Sequence, residues 1–355
     1  MLRDTQHDRF VAEDYQRLRS MRICTARETI RWPVMEGGRD AFDLSAVEPY
    51  VAAANEHRIE VVWDLMHYGW PDWLDLFSAE FVTRFAAFCR VVAEYLRRRV
   101  DGARFYVPIN EISFLAWAAG EVGCFYPFSR HRGGEVKRQL VRAWIAGVDA
   151  IRQIDPAAQI MAVEPLIHVV PAGDGDECRH LAAVENESQW EACDMLTGRL
   201  EPELGGHPRS IDVMGVNFYH DNQWEVPGGR KLAWHLNPRD RRWVPFSRLI
   251  RGAYDRYRYP IVVGETSHVG AGRATWLQEL TDELLIAIDD GLPLEGICLY
   301  PIIDRFDWDD RSHWHNSGLW DYATEPDGTL RRVLNQAYAL EFERSRRRLG
   351  SRGFS

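Results

Sequence analysis

The sequence predicts an α/β fold, a single-domain (β/α)8 TIM barrel over residues 1–355 in which the first β-strand is not identifiable, and three observations predict it. Segments typical of strands and helices alternate along the whole chain, and no linker or repeat interrupts them. Several strand segments are continuous apolar runs, which are typical of strands covered on both faces, as in parallel sheets. No strand is followed by the glycine-rich turn of a nucleotide-binding sheet.

The first half of the chain contains three strand segments, each preceded by a helical pattern. Apolar residues recur at helical spacing over residues 8–21. Ser45 with Glu48 three residues later forms a capping-box pattern, in which two side chains bind free N–H groups, and it predicts the start of a second helix. Ser78 is a typical N-cap residue and predicts a third helix. The predicted strands are residues 23–32, 59–66 and 103–109.

The second half continues this alternation. Spacing patterns predict helices near residues 136–151, 178–197, 246–258, 274–289 and 330–347, and strands at 159–163, 211–219, 261–264 and 296–303. The total is seven strand-helix units, whereas a closed barrel of this class needs eight strands. We therefore expect the missing first strand to lie upstream of Met1, or another segment or chain to fill its place.

The amino-acid composition limits the classes of partner that the protein can bind. Among 355 residues, 43 are basic and 53 are acidic, and the net charge of −10 argues against nucleic-acid and anionic-lipid partners. No apolar run reaches the length of a membrane span. Six cysteines without a CxxC pair, and a polar start after Met1, predict reduced thiols in the cytoplasm. The 14 tryptophans are typical of a protein that stacks sugar rings.

Two glutamates have the placement of catalytic groups. Glu111 follows the strand at 105–110, and Glu265 follows the strand at 260–264. In a (β/α)8 barrel, active-site residues lie at the carboxyl ends of the strands. Two carboxylates in different environments can divide into an acid and a base or nucleophile, which glycosidic bond cleavage requires. Glu28 and Glu164 also end strands; we expect them to pair with arginines, with substrate binding as the alternative.

Six short motifs occur along the chain in a recognisable order. The chain resembles the clan A glycoside hydrolases, most closely the β-glucosidase-like family 1, over about residues 8–322. The first three motifs are RETIRWP at 27–33, similar to RFSISWP; HYGWP at 67–71, similar to HWDLP; and the Asn-Glu pair at 110–111. The others are DVMGVNFY at 212–219, similar to DFIGLNYY; Glu265 at the nucleophile position; and CLYPIIDRFDW at 298–308, similar to VWSLLDNFEW.

The resemblance implies a retaining β-glycosidase that hydrolyses a small β-glycoside by double displacement, without a cofactor or metal. It implies that Glu111 is the acid/base and that Glu265 attacks the anomeric carbon. Asn110 is implied to bind the sugar 2-hydroxyl, while Arg27 and Tyr219 hydrogen-bond Glu265 and keep it ionised. Further implied substrate-binding residues are His67, Asn217, Tyr300, Asp307 and Trp308.

Three positions depart from the family's pattern. The family's nucleophile motif ends in Glu-Asn-Gly, whereas this chain has Glu265-Thr-Ser-His. Tyr300 replaces a tryptophan, and Asp307 replaces a glutamate that binds the sugar. A site built around hydroxyl recognition discriminates steeply when one partner changes. We therefore expect the catalytic centre to be retained and the sugar to differ from glucose.

Other functions stay open at this point. A degenerate barrel would bind carbohydrate or a partner without cleaving it. A metal-dependent hydrolase would use histidines, but a His-x-His on the first strand, which such barrels carry, is missing. Schiff-base chemistry is excluded because neither Lys137 nor Lys231 ends a strand. The sequence also leaves open whether the chain forms a homo-oligomer and whether water or an alcohol accepts the sugar.

Overall fold

The computed structural model describes residues 2–236, 238–308 and 310–353. Its strands are β1 (Thr25–Thr29), β2 (Glu36–Gly38), β3 (Ala41–Phe42), β4 (Glu60–Met66), β5 (Phe105–Ile109), β6 (Gln159–Pro165), β7 (His168–Pro171), β8 (Val213–Asn217), β9 (Gln223–Val226), β10 (Ile261–Thr266), β11 (Leu294–Leu299), β12 (Trp320–Thr324) and β13 (Leu330–Leu334).

Helices separate the strands of the main sheet. They are α1 (Leu2–Thr5), α2 (His7–Ser20), α3 (Trp32–Met35), α4 (Glu48–His57), α5 (Ala79–Arg97), α6 (Ile112–Leu115), α7 (Gly133–Ile154), α8 (Asp176–Ser188), α9 (Glu191–Leu196), α10 (Phe246–Tyr257), α11 (Gly272–Asp289) and α12 (Gln336–Gly350). Short 3-10 turns cover Ser45–Val47, Pro202–Leu204 and Pro208–Ser210, and a π-helical turn covers Ala116–Glu121. None of the helices in the described ranges is long and apolar enough to cross a membrane.

The main sheet contains seven strands that pair in chain order, β1-β4-β5-β6-β8-β10-β11. The neighbours with a described register run parallel. This sheet confirms the predicted α/β class of the TIM-barrel type, and its seven strands coincide with the seven predicted segments. Two antiparallel pairs, β2-β3 and β12-β13, and the parallel pair β7-β9 lie outside it.

The chain divides into two compact units, which are described one at a time. The N-terminal unit contains Tyr15–Pro165 and Val184–Gly215. The C-terminal unit contains Val216–Ser355 together with Met1–Asp14 and Leu166–Ala183.

An aromatic cluster fills the core of the N-terminal unit. Trp32 stacks on Phe88 with ring centroids 5.6 Å apart, and it contacts Phe85 at 5.2 Å. All three side chains are fully buried. Helices α5 and α7 approach closely at Gly147, where a Cβ would lie only 2.9 Å from Cys89 Sγ and from the Phe85 ring. The glycine therefore permits the contact between the two helices, as close-packed interiors require.

A buried ion pair stabilises the C-terminal unit. Arg332, on β13, donates to both carboxylate oxygens of Asp14, on α2, at 2.9 and 2.8 Å. Both side chains are only 1% exposed. His7 adds a contact to the same carboxylate at 2.8 Å. The antiparallel hairpin is thereby joined to a helix some 318 residues away in sequence.

Three local predictions were wrong. Residues 330–334 form β13 rather than the start of the last helix, which begins at Gln336. The predicted helix at 178–197 is two helices, α8 and α9. The capping box at Ser45 does not form, since the N-cap of α4 is Val47. Ser78 is the N-cap residue of α5, as predicted, but its side chain makes no capping hydrogen bond. Residues Ser45–Val47 form a 3-10 turn because Pro49 has no N–H and cannot donate to the Ser45 carbonyl, so α4 begins at Glu48.

Candidate active site

Polar side chains at the carboxyl ends of β1, β4 and β5 form one network in the N-terminal unit. Arg27 donates from Nε to Asp64 Oδ1 at 3.0 Å, and its Nη2 lies 2.8 Å from Asp64 Oδ2. The same Nη2 donates to Asn110 Oδ1 at 2.6 Å. His67 Nδ1 lies 3.1 Å from Asp64 Oδ2, and its Nε2 lies 3.4 Å from Asn110 Nδ2. The structure thus brings together Arg27, His67 and Asn110, three of the predicted site residues.

Asp64 is the centre of this network, and the sequence prediction missed it. Burial raises the pKa of Asp64, but the Arg27 charge and the hydrogen bond from His67 outweigh that effect and hold the pKa below its usual value. An ionised Asp64 fixes the Arg27 fork, which in turn fixes the Asn110 amide. The available signal was an acidic residue inside the apolar run at 59–66. A role of Arg27 toward Glu265 stays a prediction.

Glu111 lies directly after Asn110 in an uncommon backbone conformation. Its φ of 45° and ψ of 64° place it in the left-handed region, at the N-cap of α6. Its N–H donates to the Val163 carbonyl at 2.9 Å, and the Tyr68 hydroxyl donates to its Oε2. The residue is only 8% exposed. A non-glycine residue with positive φ is strained and persists where its surroundings hold it, which is typical of functional positions.

Glu164, the last but one residue of β6, lies close to this region. Its Oε2 accepts the Ser113 N–H at 3.0 Å, so it binds one of the free donors at the start of α6. Burial and, to a smaller extent, the negative charge of Glu111 raise the pKa of Glu164 to about 7, although the hydrogen bonds from Ser113 act in the opposite direction. The sequence predicts an arginine partner; within the described residues the structure shows this backbone N–H instead.

The second candidate carboxylate, Glu265, lies near the end of β10 in the C-terminal unit. The Tyr219 hydroxyl donates to Glu265 Oε2 at 2.8 Å, and the Phe218 N–H donates to the Glu265 carbonyl at 2.9 Å. Glu265 is only 5% exposed. Asn217, the fully buried last residue of β8, precedes these two aromatic residues. The hydrogen bond of Tyr219 to Glu265 that the resemblance implies is therefore present.

The segment after β11 contains three predicted site residues, Tyr300, Asp307 and Trp308, together with Arg305. The Tyr300 N–H donates to the Thr266 carbonyl at 3.0 Å, next to Glu265 in the chain. The guanidinium carbon of Arg305 lies 5.7 Å from the ring centre of Tyr300 and 5.4 Å from that of Trp308. Trp308 is 48% exposed. The Asp307 N–H donates to the His313 carbonyl at 2.9 Å. Arg305 has no assigned role in the sequence prediction.

Histidines cluster in the C-terminal unit without forming a metal site. His220 and His268 have ring centres 4.0 Å apart, and His268 also contacts Trp234. His313 pairs with Asp310 at 2.9 Å, and His315 Nδ1 lies 2.6 Å from Ser317 Oγ. Among the residues that the structure describes, no group of three or more His, Cys, Asp or Glu side chains is arranged to hold a metal ion.

Comparison with known proteins identifies the fold. No family model and no curated protein matches the chain. Solved structures do match: a family 1 β-glucosidase from Thermotoga maritima is 17% identical with a TM-score of 0.77, over 97% of this chain and 87% of that chain. The chain has the fold of the family 1 β-glucosidases.

Two further structures agree with this fold. A β-glucosidase from Thermotoga maritima in complex with deoxynojirimycin has a TM-score of 0.78 at 16% identity, over 97% of this chain and 88% of that chain. A β-glycosidase from Pyrococcus horikoshii has a TM-score of 0.79 at 17% identity, over 99% of this chain and 88% of that chain. Likenesses at such low identity establish the fold and not the activity.

Proposed function

We propose that this protein is a retaining β-glycosidase that hydrolyses a small β-glycoside, with Glu111 as acid/base and Glu265 as nucleophile. The proposal is carried by three features that the two glutamates share. Each glutamate lies at the carboxyl end of a sheet strand, is more than nine-tenths buried, and accepts a hydrogen bond from a tyrosine hydroxyl. The fold of the family 1 β-glucosidases and the six sequence motifs support the same assignment.

In the proposed first step, the Glu265 carboxylate attacks the anomeric carbon while Glu111 gives its proton to the departing oxygen. In the second step, Glu111 takes a proton from water, and that water displaces Glu265 from the sugar. This mechanism requires the two carboxyl groups to be roughly 5–5.5 Å apart, whereas an inverting enzyme needs about 6.5–9.5 Å. Tyr219 orients the attacking carboxylate, and Tyr68 does the same for Glu111.

The network around Asp64 has a proposed role in sugar binding. Arg27 holds the Asn110 amide oxygen, which leaves the amide Nδ2 oriented toward a sugar hydroxyl or His67. A contact to the 2-hydroxyl that strengthens in the transition state supplies part of the rate enhancement in such enzymes. His67, Asn217, Tyr300, Asp307 and Trp308 complete the proposed substrate-binding set. We propose that residues 1–355 act as one catalytic domain without a cofactor, in the cytoplasm; the six free thiols support that compartment.

The test is chemical rescue of Glu111→Ala and Glu265→Ala with azide on an activated aryl β-glycoside. Both variants are expected to lose hydrolysis by at least about 1000-fold. Azide then yields a β-glycosyl azide with Glu111→Ala and an α-glycosyl azide with Glu265→Ala, because azide replaces a different group in each variant. Glu56→Ala, at an exposed position of α4, is the control and keeps full activity. Equal activity in all variants, or sugar binding by a wild-type protein that cleaves no glycoside, refutes the proposal; the latter result favours a degenerate binding barrel.

A further inference from the structure

Arg305 is a buried cation with few partners among the described residues. The residue is only 6% exposed. Nη1 donates to the Phe306 carbonyl at 2.7 Å, which is the one hydrogen bond that its guanidinium makes to the described residues. Nε is buried and has no partner there. A guanidinium offers five N–H donors, so most of its hydrogen-bonding capacity is unused by the described part of the chain.

Asp304, the residue before Arg305, does not form an ion pair with it. Asp304 is fully buried, and its two oxygens accept the Asn316 N–H at 3.1 Å and the Ser317 N–H at 3.0 Å. Within the described residues, no carboxylate oxygen forms an ion pair with Arg305. Arginine remains charged at every physiological pH, and a buried charge without a counter-ion is strongly unfavourable. A ligand with a negative charge would supply the counter-ion that the described residues do not.

The surroundings of Arg305 fit a sugar ligand. The guanidinium lies near the rings of Tyr300 and Trp308, both of which belong to the proposed substrate-binding set. Trp308 is half exposed, so the aromatic edge of this cluster borders solvent. Aromatic faces attract a guanidinium and also the apolar face of a sugar. The planar fork of arginine matches a carboxylate or a phosphate, which it binds through two parallel hydrogen bonds.

We propose that Arg305 recognises an anionic group on the sugar, so that the substrates are β-glycosides of a uronic acid or of a phosphorylated sugar. This inference rests on the proposed glycosidase function and names its substrate class. The shared chemistry is a carboxylate or phosphate attached to the sugar ring. Asp307 is one methylene shorter than the glutamate at this position of the similar motif.

The experiment compares three aryl β-glycosides: the glucuronide, the 6-phosphoglucoside and the neutral glucoside. Wild-type protein is expected to show a kcat/KM at least about 10-fold higher for one anionic substrate than for the glucoside. Arg305→Gln is expected to lose about 100-fold on that substrate and less than about threefold on the glucoside. Arg305→Lys retains part of the preference because it keeps the charge. Arg311→Gln, at an exposed position of the same segment, is the control.

The outcomes separate this inference from the proposed function. A preference for the glucuronide identifies a carboxylate, and a preference for the 6-phosphoglucoside identifies a phosphate. A wild-type preference for the neutral glucoside, or equal losses on all three substrates in Arg305→Gln, overturns the inference and leaves the glycosidase proposal intact. If no glycoside is cleaved, calorimetric titration with D-glucuronate, glucose 6-phosphate and glucose decides: Arg305-dependent binding of an anion supports the inference, and equal binding overturns it.

Discussion

Replacing Glu164 with glutamine is expected to change the pH dependence of stability. The pKa of Glu164 is about 7 in the folded protein against 4.5 for an ordinary glutamate, because burial disfavours the charged form. The folded state therefore binds this proton more tightly than the unfolded state does. The resulting stabilisation is complete below pH 4.5 and is lost as the pH rises through 7.

The size of the effect follows from the shift. A difference of about 2.5 pKa units corresponds to roughly 3 kcal/mol, at 1.36 kcal/mol per unit. Glutamine keeps an oxygen for the Ser113 N–H but has no proton to lose. The free energy of unfolding of Glu164→Gln, minus that of wild type, should therefore rise by about 3 kcal/mol between pH 4.5 and pH 8. Other titrating groups cancel in this difference.

Urea unfolding of both proteins at several pH values measures this difference. In thermal unfolding, about 3 kcal/mol corresponds to roughly 4 °C for a chain of this size. Glu56→Gln, at an exposed position of α4, is the matched control and should track wild type throughout. If the difference between Glu164→Gln and wild type is the same at pH 4.5 and pH 8, Glu164 is not held protonated by burial and the reasoning is refuted.

Three further substitutions test the networks that the structure describes. Asp64→Asn removes the carboxylate that binds the Arg27 guanidinium and should lower the free energy of unfolding by about 3–5 kcal/mol, measured in urea. The loss should be smaller at pH 3 than at pH 7, because a carboxylate with a lowered pKa stabilises the fold less as it and its unfolded counterpart become protonated. Tyr219→Phe should lower kcat/KM by about 10- to 100-fold with an unchanged urea midpoint, and a shifted midpoint contradicts a role in orientation. Arg332→Met removes the guanidinium that pairs with the buried Asp14 carboxylate and should lower the free energy of unfolding by about 3–5 kcal/mol; retained stability contradicts the importance of that pair.

The sequence predicts the sheet well because its strands carry a local signal. Continuous apolar runs mark a two-sided buried strand without reference to the rest of the chain. Residues 330–334 show where this fails. Leu330 and Arg332 are buried while Arg331 and Val333 are exposed, which is the alternation of a strand. The residue types do not show this alternation, because one buried residue is charged and one exposed residue is apolar. The burial of Arg332 is stabilised by Asp14, which pairs with it from the far end of the sequence.

The candidate site divides in the same way. Glu111 and Glu265 could be found from the sequence because each follows a strand and belongs to a short motif. The partners that hold them depend on which strand ends are neighbours, and periodicity does not report that. Tyr68 lies inside a motif at 67–71 but acquires a role only through its hydrogen bond to Glu111. In the sequence, Asp64 is only a charged residue within an apolar strand; the structure shows that Arg27 binds it.

The departures from the family's pattern concern a different kind of residue from the matches. Under the proposed function, the matching residues hold the two glutamates and the 2-hydroxyl contact, which a retaining β-glycosidase needs whatever the rest of its sugar looks like. The departures include Tyr300 and Asp307. Arg305 lies between these two residues in the sequence and stands where the similar motif has an asparagine. Under the proposal for Arg305, a neutral sugar is a poor fit there, because a hydroxyl carries no negative charge. Selection on the substrate can therefore change this segment while the chemistry of bond cleavage stays constant.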